Sequence, residues 1–313
     1  MIFYLNLYNI STMDKHFFFI LIFLPLFAFG QQESYYSLYS FNMNVINPAY
    51  AGADAPNMLS LTSRRQWTSI ENAPNTIALA FSSARKNNVG LGVSVVSDKI
   101  FIEQQTFAYV DFSYKLELSS DAQLFFGLKG GGNFTELTYL LNTYDPISDP
   151  TQIALSRFNP NIGAGAYYKS SNYWVSFSIP RLINSTRDDE LAVSAKDRVH
   201  SYLGGGGVFN IGENFQLKPS FMLRKIKGLP ITTDLTGILS WQNTFDVGVS
   251  LRSNSAFSLL SVISLGKYDI GYAYETPTDA GLSQLNLKTH ELVFRIRLDK
   301  AYKASEEEPV TLE

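Results

Sequence analysis

What most constrains this chain is a strict alternation of apolar and polar side chains that recurs along almost its whole length. In 106-TFAYVDFSYKLEL-118, Thr106, Ala108, Val110, Phe112, Tyr114, Leu116 and Leu118 fall on one side of an extended chain, and Phe107, Tyr109, Asp111, Ser113, Lys115 and Glu117 on the other. Successive side chains of a strand point to opposite faces, so this period marks a strand whose two faces meet different surroundings. A soluble sandwich would bury the apolar side, whereas a barrel crossing an outer membrane would turn it to lipid and keep the polar side in the lumen. The pattern by itself is compatible with both.

The alternation begins at Leu59 and Leu61 and continues through Ile77–Phe81, Val89–Val95, the stretch quoted above, Leu124–Leu128, Ile162–Tyr168 and Tyr173–Ile179. It resumes at Tyr202–Val208, Phe215–Leu223, Ile231–Trp241, Phe245–Leu251, Phe257–Leu265, Ile270–Tyr274 and Leu292–Leu298. About fourteen strands result, an even number, as bacterial single-chain barrels have. Connections after even-numbered strands are brief: Arg85 to Asn88, Ser119 to Ala122, Lys169 to Asn172, Gly212 to Asn214, Gln242 to Thr244 and Gly266 to Asp269. Those after odd-numbered strands vary, and Thr135 to Asn159, Arg181 to His200 and Glu275 to Thr289 are long. Short periplasmic turns alternating with longer outer loops are the habit of outer-membrane barrels, and a soluble sandwich has no reason to sort its loops in this way. The expectation is an all-β fold: a transmembrane antiparallel β-barrel of about 14 strands, with both chain ends periplasmic.

Composition and the N-terminus agree with that compartment. Charged residues are 17% of the chain and aromatics 14%, against roughly 25% charged in an average globular protein. Before residue 31, Lys15 precedes an apolar run from Phe17 to Phe29, 13 residues long, which ends at Ala28-Phe29-Gly30. The run is short of the ~20 residues a spanning helix needs, and its flanks have the form of a signal peptide cleaved before Gln31. Residues 1–30 are therefore assigned to an upstream start, at Met1 or Met13, plus signal peptide. The tail 300–313 is charged and expected to be flexible and periplasmic. Trp67, Tyr173, Trp174, Trp241, Tyr272 and Tyr274 lie near strand ends, as interfacial girdle residues or as ordinary strand aromatics.

Little in the chain points to chemistry. Net charge is -3 with no basic run, which excludes a nucleic-acid footprint, and the absence of cysteine removes thiol nucleophiles and the usual zinc sets. Of three histidines His16 lies in the leader, and His290-Glu291 is no zinc-protease motif because Phe294 stands where a second histidine is required. The runs 130-GGG-132 and 204-GGGG-207 lack the Lys-Ser/Thr of a phosphate loop and suit strand curvature or close approach of an internal segment. Asp145 and Asp149 in 142-NTYDPISDPTQ-152 have turn chemistry rather than calcium-loop spacing. Asp111, Lys115, Glu117, Lys129, Arg295 and Arg297 share the polar parity and are expected in the lumen, paired with each other or with an insert. No enzyme activity, cofactor or metal is expected.

The mature N-terminus is the most specific segment. Gln31-Gln32, Tyr39, Asn42, the block Asn47-Pro48-Ala49-Tyr50-Ala51-Gly52, then Arg65-Gln66-Trp67 and Ala73-Pro74 resemble the PorP/SprF family of type IX secretion proteins of the Bacteroidota. The segments 89-VGLGVSVVSDKI-100, Pro219-Ser220, 271-GYAYE-275 and 290-HELVFRI-296 extend the resemblance to about Leu298. It implies an outer-membrane component of type IX protein secretion and gliding that assists export or surface attachment of a cognate adhesin-like substrate. The implied partners are outer-membrane lipid, a secreted protein with a C-terminal sorting domain, and periplasmic and outer-membrane secretion components. A passive porin or hydrophobic-solute channel is the alternative, since fold does not fix function. Asn47, Pro48, Tyr50, Gly52, Arg65, Gln66 and Trp67 are the candidate partner or plug residues. Residues 31–56 are expected either to plug the lumen or to serve as a plain lead-in to a barrel over 57–299, with Arg65, Gln66 and Trp67 closing the first strand near the outer rim.

Overall fold

A computed structural model of the chain describes residues 35–137, 155–183, 199–253, 255–278 and 287–298. The expected leader, Gln31 and Gln32, the loop carrying Asp145 and Asp149, and the tail lie outside the described residues. The strands are β1 (Asn57–Arg65), β2 (Asn75–Ala84), β3 (Val89–Ile100), β4 (Glu103–Glu117), β5 (Ala122–Leu137), β6 (Leu155–Ser170), β7 (Tyr173–Arg181) and β8 (His200–Gly207). They continue with β9 (Phe209–Ile211), β10 (Phe215–Ile226), β11 (Thr232–Trp241), β12 (Phe245–Arg252), β13 (Ala256–Leu265), β14 (Tyr268–Pro277) and β15 (Thr289–Arg297). Ahead of them come a 3-10 turn at Tyr39–Phe41, the one-turn helix α1 (Met43–Ile46) and a second 3-10 turn at Pro48–Tyr50. Among the described residues no helix is long and apolar enough to cross a membrane.

Each strand pairs antiparallel with its neighbours along the chain, and the first, β1, pairs with the last, β15. Both β8 and β9 pair with β10 and are separated only at Val208, so they form one interrupted stave. Because β10 also pairs with β11, the sheet has no free end: it is a closed barrel of 14 staves. Closure matters because a backbone N–H or C=O facing hydrocarbon without a partner costs several kcal/mol, roughly the penalty of an unmet hydrogen bond in an apolar medium.

The turns at one end are tight for a local reason. Asn87 and Asn88 have φ of 63° and 64°, and Gln242 and Asn243 have φ of 50° and 51°. Two successive left-handed residues make the hairpin turn whose twist matches that of the flanking strands, and asparagine tolerates that conformation better than most residues. The longer connections gather at the other end, which is therefore the outer one.

The two faces divide as the alternation requires. Val110 is 59% exposed and Leu128 64% on the outside of the wall, whereas Asp111 and Ser113 on the opposite parity of β4 are 1% exposed. Ser60, Thr62, Thr76, Ser82, Ser94, Lys129, Ser176, Asp234, Ser250 and Glu291 are likewise buried on the inner face. Of the two roles open to Trp174, the structure gives it that of an ordinary strand aromatic: it points inward, with its ring centroid 6.2 Å from that of Tyr167. Lys115 and Glu117 hold the inward parity but sit at the exposed periplasmic end of β4, paired with each other at 2.7 Å.

Outward position gives a stability test. Replacing Val110 by arginine should lower the unfolding free energy of the barrel in lipid vesicles by about 2–4 kcal/mol, the cost of a charge near the bilayer midplane. Urea titration of wild type and variant followed by tryptophan fluorescence would measure it.

Candidate functional site

The inner wall is engaged by residues 35–56, whose irregular backbone needs partners for its N–H and C=O groups. In the outer half of the lumen, Glu291 on β15 accepts from Ser37 N at 2.8 Å and Leu38 N at 3.0 Å, and Glu275 on β14 accepts from Ser37 Oγ at 2.8 Å. Nearer the periplasmic end the wall donates. Lys129 Nζ reaches Val45 O at 3.1 Å, Ser178 Oγ reaches Ile46 O at 2.9 Å, Ser113 Oγ reaches Ala51 O at 2.6 Å and Lys169 Nζ reaches Ala53 O at 3.1 Å. Tyr39 Oη donates to Ser220 on β10 at 2.7 Å, and Thr62 on β1 donates to Asn42 Oδ1 at 2.7 Å.

Six buried charges in the outer half form an unbroken alternating chain, Glu291–Arg64–Glu275–Arg252–Asp234–Arg224. Arg64 lies 3.1 Å from Glu291 and 2.7 Å from Glu275. Arg252 lies 3.1 Å from Glu275 and 2.7 Å from Asp234, and Arg224 is 3.7 Å from Asp234. The chain draws on β15, β1, β14, β12, β11 and β10. Buried charges are tolerated when each is paired and hydrogen-bonded. The Tyr35 ring caps its far end, 3.9 Å from the Arg224 guanidinium and 4.7 Å from that of Arg252.

The Asn47–Gly52 block occupies the periplasmic half. Asn47 is fully buried; its Oδ1 accepts from Ala49 N at 2.9 Å, and its Nδ2 donates to Ser176 Oγ at 2.8 Å and to the Ala166 and Phe177 carbonyls at 3.0 and 3.3 Å. Pro48 opens the 3-10 turn, where its missing N–H costs nothing. Tyr50 meets Tyr167 edge to face at 5.0 Å. Gly52 has φ of 74°, a backbone suited to glycine. The wall is cut back to receive this block: a Cβ on Gly165 would stand 2.0 Å from Asn47 Oδ1, on Gly127 2.1 Å from Ala49 N, and on Gly90 2.0 Å from Ala51 O. Asp54 is tied to Arg295, which also faces Asp269. Burial alone would raise the Asp54 carboxyl, but Arg295, Lys169 and Arg297 together hold it below its ordinary value.

The seven candidate residues divide between two places. Asn47, Pro48, Tyr50 and Gly52 come together against β2, β5, β6 and β7, while Arg65, Gln66 and Trp67 lie at the opposite end of β1. There Gln66 N donates to Pro74 O, and Trp67, with φ of 48°, accepts from Ile70 N through its carbonyl. Of the two neighbouring arginines it is Arg64, and not Arg65, that faces the lumen and pairs with Glu275 and Glu291. The close approach of the internal segment falls at the isolated Gly90, Gly127 and Gly165, while a Cβ on Gly130 would meet nothing within 4 Å. Among the described residues no three histidine or acidic side chains converge as metal ligands.

A closed wall of 14 staves, apolar outside and polar inside, defines an outer-membrane β-barrel. Solved structures similar in fold include Omp33 of Acinetobacter baumannii, 13% identical over 78% of this chain and 98% of that one with a TM-score of 0.45. A Pseudomonas aeruginosa FadL homologue is 10% identical over 81% and 93%, TM-score 0.49, and the CymD monoaromatic hydrocarbon channel 12% identical over 81% and 91%, TM-score 0.47. Comparison with curated proteins gives no match. The model of the type IX secretion system membrane protein family PorP/SprF matches residues 28–296, and the chain belongs to that family.

The buried charge chain makes its own prediction. Arg64→Met should leave Glu275 and Glu291 short of a cation and destabilise the barrel by about 3–5 kcal/mol, the usual cost of breaking a buried pair. Arg64→Met/Glu291→Gln, which removes the unpaired charge and keeps an acceptor for the Ser37 and Leu38 N–H groups, should recover part of the loss, and a double-mutant cycle in urea would read both.

Proposed function

We propose that this chain assists the export, or the attachment at the cell surface, of one cognate adhesin-like protein carrying a C-terminal sorting domain, and that residues 31–56 serve as a plug rather than as a lead-in. On this reading a signal peptide is removed before Gln31, and the barrel over 57–299 has no continuous aqueous path. The supporting observation is the reach of the N-terminal segment, which hydrogen-bonds inner-face groups of β1, β4, β5, β6, β7, β10, β14 and β15. A lumen held this way leaves the outer loops and the periplasmic turns as the working surfaces. Loops on a rigid scaffold are where binding residues concentrate. The outer loops would meet the exported protein and the periplasmic turns the secretion machinery. The family membership supplies the process, type IX secretion, and no catalytic step is part of the proposal.

Two measurements test it. Loss of the gene should abolish surface display of one adhesin, most directly that encoded nearest to it, with other cargo exported normally; normal display and anchoring of every candidate cargo would refute the export role. In planar bilayers the intact barrel should be nearly silent, and deletion of residues 35–54 should open a steady conductance. A large conductance already present in the intact protein and unchanged by the deletion would instead favour a porin or hydrophobic-solute channel.

A further inference from the structure

We propose that the outer face of the wall at its extracellular end, centred on Arg65 and Lys99, binds the phosphate of an anionic glycolipid headgroup in the outer leaflet. The argument comes from register. Tyr274 opposes His290, His290 opposes Arg65, Arg65 opposes Asn75, Asn75 opposes Lys99, and Lys99 opposes Gln104. Directly opposed residues of antiparallel strands share a face, so these six form one row across β14, β15, β1, β2, β3 and β4. The parity that carries Arg65 carries Leu59 and Leu61 deeper in β1, and that of Lys99 carries Val93 and Val95 in β3. Leu61, Leu79, Val93 and Phe294 stand exposed on this wall, so its lower rows face hydrocarbon. The row therefore ends the apolar band where headgroups lie.

Charge is sorted across the wall at this level. Arg64, Asp98, Glu103, Glu275 and Glu291 have the inward parity, whereas Arg65 and Lys99 point out. Both are exposed, and neither makes an ion pair among the described residues. The acids near the row are Glu136, opposite Gln104 and two staves beyond Lys99, and Glu71 in the β1–β2 connection. With staves about 4.8 Å apart, Arg65 and Lys99 stand roughly 10 Å from each other, a span a phosphorylated sugar headgroup covers. Arginine offers the forked donors that match phosphate oxygens, and lysine adds a point charge. His290 is oriented by Tyr272, with Nδ1 2.8 Å from the Tyr272 Oη, and has Nε2 as a second polar atom. Tyr272 and Tyr274 flank it as interfacial aromatics. Commitment to a lipid over a protein follows from continuity: the cations crown a lipid-facing surface and belong to no loop.

The test uses the full mature chain in detergent, with purified lipid A and the same lipid A after enzymatic dephosphorylation. Phosphorylated lipid A should raise the thermal unfolding midpoint and the dephosphorylated form should not. Arg65→Gln/Lys99→Gln should weaken half-saturation by on the order of tenfold or more, given roughly 1 kcal/mol for each cation at a charged membrane surface. Heat-modifiable gel mobility checks that the variant folds, and Arg65→Lys, which keeps the charge, should retain most of the response. Equal stabilisation by both lipids, or an unchanged response in the double variant, overturns the proposal. So does a double variant that binds lipid A normally yet fails in secretion, because the face would then be a protein contact.

Discussion

Closure of the backbone hydrogen-bond ring at β10–β11 and β15–β1 is the constraint from which the rest follows. Inside a bilayer no strand edge can be left to water, so the sheet must meet itself, and its period-two side chains are then sorted into a lipid face and a lumen face. A ring of 14 staves is wider than the eight-stranded barrels whose side chains fill the interior and narrower than the channels of 16-stranded porins. The wall's own side chains do not span such an interior. Tyr36, Tyr39, Met43 and Ile46 supply apolar mass that meets Ala78, Phe125, Tyr167, Tyr202 and Met222 from the wall.

That arrangement gives the inward charges a purpose other than hydration. Irregular backbone in an enclosed space must find acceptors for its N–H groups and donors for its carbonyls. Glu291 and Glu275 supply acceptors where Ser37 and Leu38 present donors, and Lys129, Lys169, Ser113 and Ser178 supply donors where residues 45–53 present carbonyls. Lys129 does this while its Nζ lies 3.3 Å from Asp111 Oδ1, so one cation neutralises a wall carboxylate and caps the segment's backbone together. Each charge in the chain has an opposite charge as its nearest neighbour, and that attraction exceeds the weaker repulsion between next neighbours such as Glu275 and Glu291, so three arginines and three carboxylates coexist at low exposure.

Much of this was legible from residue order, and the misses have physical reasons. The staves, their parity and the short turns are local properties: Val110 against Asp111 reports its own strand, and Asn87-Asn88 its own turn. Arg65 rather than Arg64 stands among the candidate residues because the family resemblance rests on the Arg-Gln-Trp block, although the parity set by Leu59 and Leu61 turns Arg64 inward. The glycine runs 130–132 and 204–207 were conspicuous, yet the glycines that admit Asn47 and Ala49 are the isolated Gly165 and Gly127. Which glycine faces an incoming backbone depends on contacts between residues far apart in the chain, 78 positions for Gly127 and Ala49 and 118 for Gly165 and Asn47. Asn47 meets Ser176 across 129 residues, and no periodicity encodes such a meeting.

The same long separations decide how the parts become stable together. Arg64 and Glu291 are opposed in the β1–β15 register, so the pair stands on the seam that joins the first stave to the last. Glu291 also holds Ser37 and Leu38, 254 and 253 residues away in sequence. Until the last stave arrives, the first has no partner on that edge, Arg64 lacks one of its carboxylates, and two backbone N–H groups of the N-terminal segment lack their acceptor. Contacts this distant return their loop-closure cost only when they form as a set. Seam closure and anchoring of the segment therefore stabilise each other, because Glu291 takes part in both.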